Sequence, residues 1–129
     1  MRVFKTRPFV RFARREGLAD AALCDAVRRA EQGMVDADLG GGVIKQRIAR
    51  SGQGRARGYR SIVLFRRGER AFFVHGFAKS HQANIRQDER KAFRALADTL
   101  LELQETEVAA AMANGTITEV PYDDEAIQK

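Results

Sequence analysis

If this sequence does chemistry, cations do it. Between Gly42 and Lys79 the chain carries Lys45, Arg47, Arg50, Arg55, Arg57, Arg60 and Lys79, and its only carboxylate there is Glu69. Lys45 and Arg47 alternate with Ile44 and Ile48, so a strand would turn both cations to one face and both isoleucines to the other. Arg60 heads the apolar run Ile62–Phe65, and Lys79 closes the run that begins at Arg70. His81 follows two residues later, and a histidine's ordinary pKa suits proton transfer near neutrality.

Such a group fits metal-free cleavage of RNA. The 2′-hydroxyl is a nucleophile already held beside its phosphate, so neither a metal nor a covalent intermediate is needed. The protein must accept the hydroxyl proton, neutralise charge on the non-bridging oxygens and protonate the leaving 5′-oxygen. A lysine among other cations gives up its proton more readily. That makes Lys45, beside Arg47 and expected opposite Arg60, the candidate base. The candidate catalytic residues are therefore Lys45, Arg47, Arg60, Lys79 and His81.

Arg50, Arg55 and Arg57 belong to a different class. The segment Ser51–Gly58 is glycine-rich and reads as a mobile hairpin loop. Its arginines suit gripping RNA, because the glycines around them cannot hold a catalytic geometry. Arg66, Arg67 and Arg70 flank a tight turn and read as ordinary surface. His75 alternates with Phe73 and Phe77, which suggests a core or half-buried histidine, and the lone Cys24 reads as core filler.

Other chemistries lack their residues. One cysteine and two histidines form no zinc-ligand constellation in the sequence. Gly52-Gln53-Gly54 lacks the closing Gly-Lys-Ser/Thr of a phosphate loop, dinucleotide glycine spacing is missing, and there is no nucleophile-elbow serine. Carboxylates do not cluster near the basic stretch as a metal-dependent nuclease requires. No cofactor and no metal are expected.

The elements that must position these residues follow from periodicity. Met1–Lys5 suggests a short strand. Pro8 suits a first helical turn, with Phe9, Phe12 and Ala13 at helical spacing and Gly17 as the stop. Asp20 is the expected N-cap of a second helix buried through Leu23, Ala26, Val27 and Ala30, with Gly33 as C-cap. Asp36–Gly42 reads as a flexible turn into the first long strand. Ile62–Phe65 and Ala71–Val74, apolar on both faces, read as central strands covered by helices. After Ser80, Asn84 with Gln87 resembles a capping box. One long helix then buries Phe93, Leu96, Leu100 and Leu103 and continues through Val108 to Asn114-Gly115. Thr116–Val120 reads as a last strand, and 121–129 as an acidic tail that could fold back on Arg55 and Arg57. These elements predict a single α+β domain over 1–129, with a small antiparallel sheet, two N-terminal helices and a long C-terminal helix.

Composition agrees with a globular chain that binds a polyanion. Of 129 residues, 44% are hydrophobic and 31% charged, and 23 Lys+Arg against 17 Asp+Glu leave a net charge of +6. That balance points to nucleic acid, the ribosome or an acidic protein partner. From Asp98 onward eight acidic residues face one base, Lys129, so the charge is segregated. There is no apolar run long enough for a membrane helix and no signal-peptide pattern, so a cytoplasmic protein without membrane contact is expected.

A strand, two helices, Gly41-Gly42-x-x-Lys45-x-Arg47, a loop, Tyr59-Arg60 before an apolar strand, and Gly76-Phe77-x-Lys79 occur in that order. In this arrangement, from Met1 to the long helix, the chain resembles the RelE/HigB-type toxins of bacterial type II toxin–antitoxin systems. The resemblance implies a basic cytoplasmic α+β toxin that cleaves mRNA on the ribosome without metal, inhibits translation and is neutralised by a cognate antitoxin, expected to be of helix-turn-helix type. It implies that Lys45 and Arg47 are the basic pair before the loop, that Arg60 contacts the scissile phosphate, and that Lys79 is the basic residue ending the next strand. Ser80 stands where such toxins often carry a second basic residue, and no tyrosine lies near Ile85. The alternative is a non-catalytic binding protein on the same scaffold, either a gyrase inhibitor or an RNA- or protein-binding module.

Overall fold

The computed structural model describes residues 1–50, 54–78 and 85–122, at 50 and 54–57 by backbone alone. In chain order its elements are β1 (Arg2–Thr6), α1 (Arg7–Glu16), α2 (Asp20–Glu31), β2 (Ala37–Gly40), β3 (Val43–Arg50), β4 (Gly54–Arg66), β5 (Arg70–Ala78), α3 (Gln87–Leu100), α4 (Glu105–Ala113) and β6 (Ile117–Val120). One sheet runs β2-β3-β4-β5-β1-β6. It is antiparallel except where β1 lies parallel to β5. The α+β architecture expected from the sequence is the one observed.

Both faces of the sheet are covered, which is why β4 and β5 are apolar at consecutive positions. Phe9 and Phe12 of α1 and Leu23 and Val27 of α2 pack on Val3, Ile44, Ile48, Val63 and Phe73. On the other face Ala97, Leu101 and Val108 pack on Phe4, Val43, Ile62, Leu64 and Phe72. Each fully buried side chain of this size contributes about 1.5–3 kcal/mol. α1 approaches β5 closely because Gly76 has no side chain: a Cβ there would sit 2.3 Å from the Phe12 ring.

Several boundaries differ from expectation, each for a local reason. Pro8 opens α1 and Gly17, at φ 69°, closes it as foreseen. The N-cap of α2 is Ala19, not Asp20. Asp20 instead lies in the first turn, where its charge favours the helix, and pairs with Lys5 at 3.0 Å. Gln32, not Gly33, is the C-cap. The turn expected at Asp36–Gly42 contains the edge strand β2. The glycine-rich loop is shorter than expected: β4 begins at Gly54, paired with Arg50, so Arg55 and Arg57 lie on a strand.

The single long C-terminal helix is two helices. At the junction, the Gln104 N–H donates to the Glu107 carboxylate at 2.7 Å and starts α4 afresh. The carbonyls freed at the end of α3 are taken by the β4–β5 hairpin. Arg66 donates to Leu101 O at 2.9 Å and Arg70 to Leu103 O at 2.5 Å. These two arginines, expected as ordinary surface, therefore staple the helices to the sheet, whereas Arg67 is exposed. The start of α3 also shifts: Arg86 is its N-cap, with its N–H donating to Glu89 at 2.8 Å, and Asn84 lies outside the described residues. The buried stripe of α3 centres on Ala97 and Leu101, and Leu96 is exposed.

Candidate nucleic-acid interface

Strand register brings the described cations together on the α3 side of the sheet. Lys45, Ile62 and His75 form one row across β3, β4 and β5, and Arg47, Arg60 and Phe77 form the next. Lys45 and Arg47 share a face opposite Ile44 and Ile48, as alternation requires. The direct partner of Arg60 is Arg47, not Lys45 as expected. Lys45 is its diagonal neighbour, within reach of a long side chain.

Two buried or half-buried groups hold Arg47 from behind. Its N–H donates to Asp36 Oδ2 at 2.6 Å, and its carbonyl accepts from Arg29 Nη2. Arg29 is itself paired with Asp25 at 3.3 Å and Asp36 at 3.5 Å. β2 pairs with β3 only as far as Lys45, so Asp36 and Arg29 continue the ladder with side chains where the strand stops. Gln46 is fully buried and completes the clamp: its Oε1 accepts from the Asp36 N–H at 2.7 Å, and its Nε2 donates to Ala26 O at 2.9 Å and Met34 O at 3.3 Å. This clamp was not among the features expected from the sequence. Its one signal is Gln46, a polar residue on the same face as Ile44 and Ile48, whose buried amide demands partners.

The clamp has an electrostatic consequence. With both peptide groups of Arg47 engaged on the β2 side, Arg47 and Arg60 form a non-hydrogen-bonded antiparallel pair, whose Cα atoms lie about 4.5 Å apart. Like charges on directly opposite residues of an antiparallel pair are destabilising. Among the described residues no carboxylate forms an ion pair with Lys45, Arg47 or Arg60. Arg60 is only 8% exposed, and its Nη1 is buried without a hydrogen-bond partner among the described residues. An unsatisfied buried donor costs about 1–3 kcal/mol, more when charged. This geometry suits an incoming anion.

Tyr59 anchors the pair from the other face. Its hydroxyl donates to Glu16 at 2.9 Å, and its ring meets Phe12 edge-on at 5.5 Å. Alternation then turns Arg60 to the cationic side. His75 reaches that side by a different route. The register shifts between Ile62 and Val63, leaving Val74 as an extra residue on β5. Phe73 consequently belongs to the α1/α2 core and Phe77 to the opposite one, so the alternation of His75 with both, expected from sequence, is broken. His75 lies half-buried between Phe77 and Phe93, each 5.7 Å away between ring centroids. Its Nε2 is buried and has no hydrogen-bond partner among the described residues.

Lys79 and His81 lie outside the described residues, as does the tail from 123. Arg50 lies on β3, and Arg55 and Arg57 on β4. Among the described residues no group of three or more His, Cys, Asp or Glu side chains could hold a metal ion. Cys24 is buried in the α1/α2 core, where burial pushes its thiol pKa up. Among the described residues no helix is long and apolar enough to cross a membrane.

The family model for the RelE toxin of the RelE/RelB toxin–antitoxin system matches residues 1–120. The chain belongs to the RelE toxin family. It is thus the toxin of a toxin–antitoxin pair, and its partner is an antitoxin. The match runs from β1 through the last residue of β6 and includes all the cations described above. A comparison with curated proteins returned no match.

Proposed function

We propose that this RelE toxin is a metal-independent endoribonuclease that cuts mRNA on the ribosome and so inhibits translation in the cytoplasm. The observation that carries this reading is the Arg47–Arg60 pair, two arginines directly opposite each other across β3 and β4, with a buried guanidinium nitrogen of Arg60 that has no hydrogen-bond partner among the described residues. A scissile phosphate between them would satisfy Arg60 Nη1 and remove the repulsion, more so as charge grows on its non-bridging oxygens. Lys45, diagonal to Arg60, is the base that takes the 2′-hydroxyl proton. Lys79 and His81 are proposed to protonate the leaving 5′-oxygen, and Arg50, Arg55 and Arg57 to bind flanking phosphates. The reaction asks no metal or cofactor of the protein. The antitoxin is proposed to be a helix-turn-helix protein that covers the cationic face.

The competing reading is a non-catalytic toxin that binds gyrase, RNA or another protein through the same face. It is favoured by Ser80 and by the lack of a tyrosine near Ile85. Expressing the chain without its antitoxin and mapping mRNA 5′ ends separates the two. Cleavage by the wild type that is lost in Arg60→Ala and strongly reduced in Lys45→Ala is the expected result. Growth arrest with intact mRNA, or cleavage indifferent to both substitutions, would overturn the nuclease reading.

A further inference from the structure

We infer that His75 is a base-contacting residue of the RNA site, hydrogen-bonding through its imidazole to the nucleotide whose phosphate sits on Arg47 and Arg60. The inference rests on the nuclease reading and adds to it a residue that no sequence motif marks.

Three observations converge on it. First, the extra residue Val74 turns His75 onto the face that carries Lys45, Arg47 and Arg60; regular alternation from Phe73 would have sent it to the opposite core. Second, His75 and Arg60 are diagonal cross-strand neighbours, and each carries a buried nitrogen with no hydrogen-bond partner among the described residues. Diagonal neighbours are about 7–8 Å apart, which leaves room for a sugar between a phosphate on one residue and a base on the other. Third, the imidazole stands between two phenylalanine rings, an apolar setting that suits the flat face of a base better than a phosphate.

The inward position of Nε2 does not block this role. Among the described residues no hydrogen bond holds Nε2, so turning the ring breaks none there, and the terminal torsion of a histidine is broad. The residue as a whole is half-buried rather than sealed in the core. A nucleobase edge offers both donors and acceptors, so either neutral tautomer finds a partner.

The test uses the 129-residue chain and His75→Phe, which keeps a ring between Phe77 and Phe93 but removes both nitrogens. Affinity for a short labelled single-stranded RNA is measured across a salt series beside Arg60→Ala, with mRNA cleavage and Tm followed in parallel. His75→Phe is expected to weaken binding about two- to tenfold, the effect of one lost hydrogen bond. It should reduce cleavage, leave the salt slope unchanged and leave Tm equal or higher. Arg60→Ala should lower the slope by about 0.7 for each phosphate contact it loses. A fall in Tm with the loss of binding would make His75 a packing residue and overturn the inference, and a slope reduced as in Arg60→Ala would overturn the base contact. If Arg60→Ala loses binding and cleavage while His75→Phe matches the wild type, this inference alone falls. If Arg60→Ala also binds and cleaves normally, the nuclease reading falls and takes the inference with it.

Discussion

Arg60 illustrates a conflict between stability and binding at the scale of one residue. A buried guanidinium opposite another arginine, with one nitrogen unpartnered among the described residues, is expected to weaken the free fold. Arg60→Met keeps much of the apolar stem and removes the charge. It is expected to raise stability by about 1–3 kcal/mol in denaturant unfolding while RNA affinity drops. Lower stability would mean that the guanidinium is satisfied in the free protein. Asp36 behaves in the opposite way. Asp36→Ala removes the acceptor of the Arg47 N–H and a partner of Arg29, and should cost about 1–3 kcal/mol. Gly76→Ala is a purely steric case: the new methyl would meet Phe12 at 2.3 Å, and the forced shift should cost about 1–3 kcal/mol of unfolding free energy.

At the scale of elements, the β4–β5 hairpin works at both ends. Its far end presents Arg60, His75 and Phe77 on the cationic face, while its turn end holds α3 and α4 through Arg66 and Arg70. Arg70 also donates to Glu105 at 2.9 Å, and Arg2 reaches the same carboxylate at 2.8 Å. The Arg70 hydrogen bond, followed by the charges of Arg70 and Arg2, lowers the Glu105 pKa below its ordinary 4.5. A depressed carboxyl pKa stabilises the fold above the unfolded value and loses that contribution as pH falls through the folded value. Tm should therefore decline more steeply below about pH 4.5 in the wild type than in Glu105→Gln. Equal slopes would show that the exposed carboxylate adds nothing. The pair is open to solvent, so the difference should also shrink in high salt.

At the scale of the whole molecule, charge is segregated by element. β3 and β4 carry Lys45, Arg47, Arg50, Arg55, Arg57 and Arg60, while from Asp98 onward acidic residues dominate, with Glu102, Glu105 and Glu119 paired to Arg66, Arg70 and Arg2. Those pairs consume the arginines at the turn end of the hairpin and leave Lys45, Arg47 and Arg60 without carboxylate partners among the described residues. RNA affinity should fall linearly on a log–log plot against salt, by about 0.7 per phosphate contacted. A flat plot would mean that the basic face meets no phosphate. An antitoxin that covers this face should abolish RNA binding at equimolar ratio, measured by competition. Unchanged RNA binding in the toxin–antitoxin complex would place the antitoxin elsewhere.

By itself the sequence determined the α+β class, the order of most elements and the common face of Lys45 and Arg47, because these depend on period-two and period-3.6 patterns within single segments. It also placed Arg60 on a central strand, since an apolar run covered by helices is recognisable without its partners, but put it at the head of that strand, whereas β4 begins at Gly54. Only the tertiary structure decided what depends on register and distant carbonyls. Arg47 rather than Lys45 faces Arg60 because pairing across β3 and β4 is set by the whole ladder. Arg66 and Arg70 became staples because the junction of α3 and α4 exposes carbonyls beside their hairpin. His75 came to the cationic face through one extra residue at Val74, which reversed the side its alternation implied.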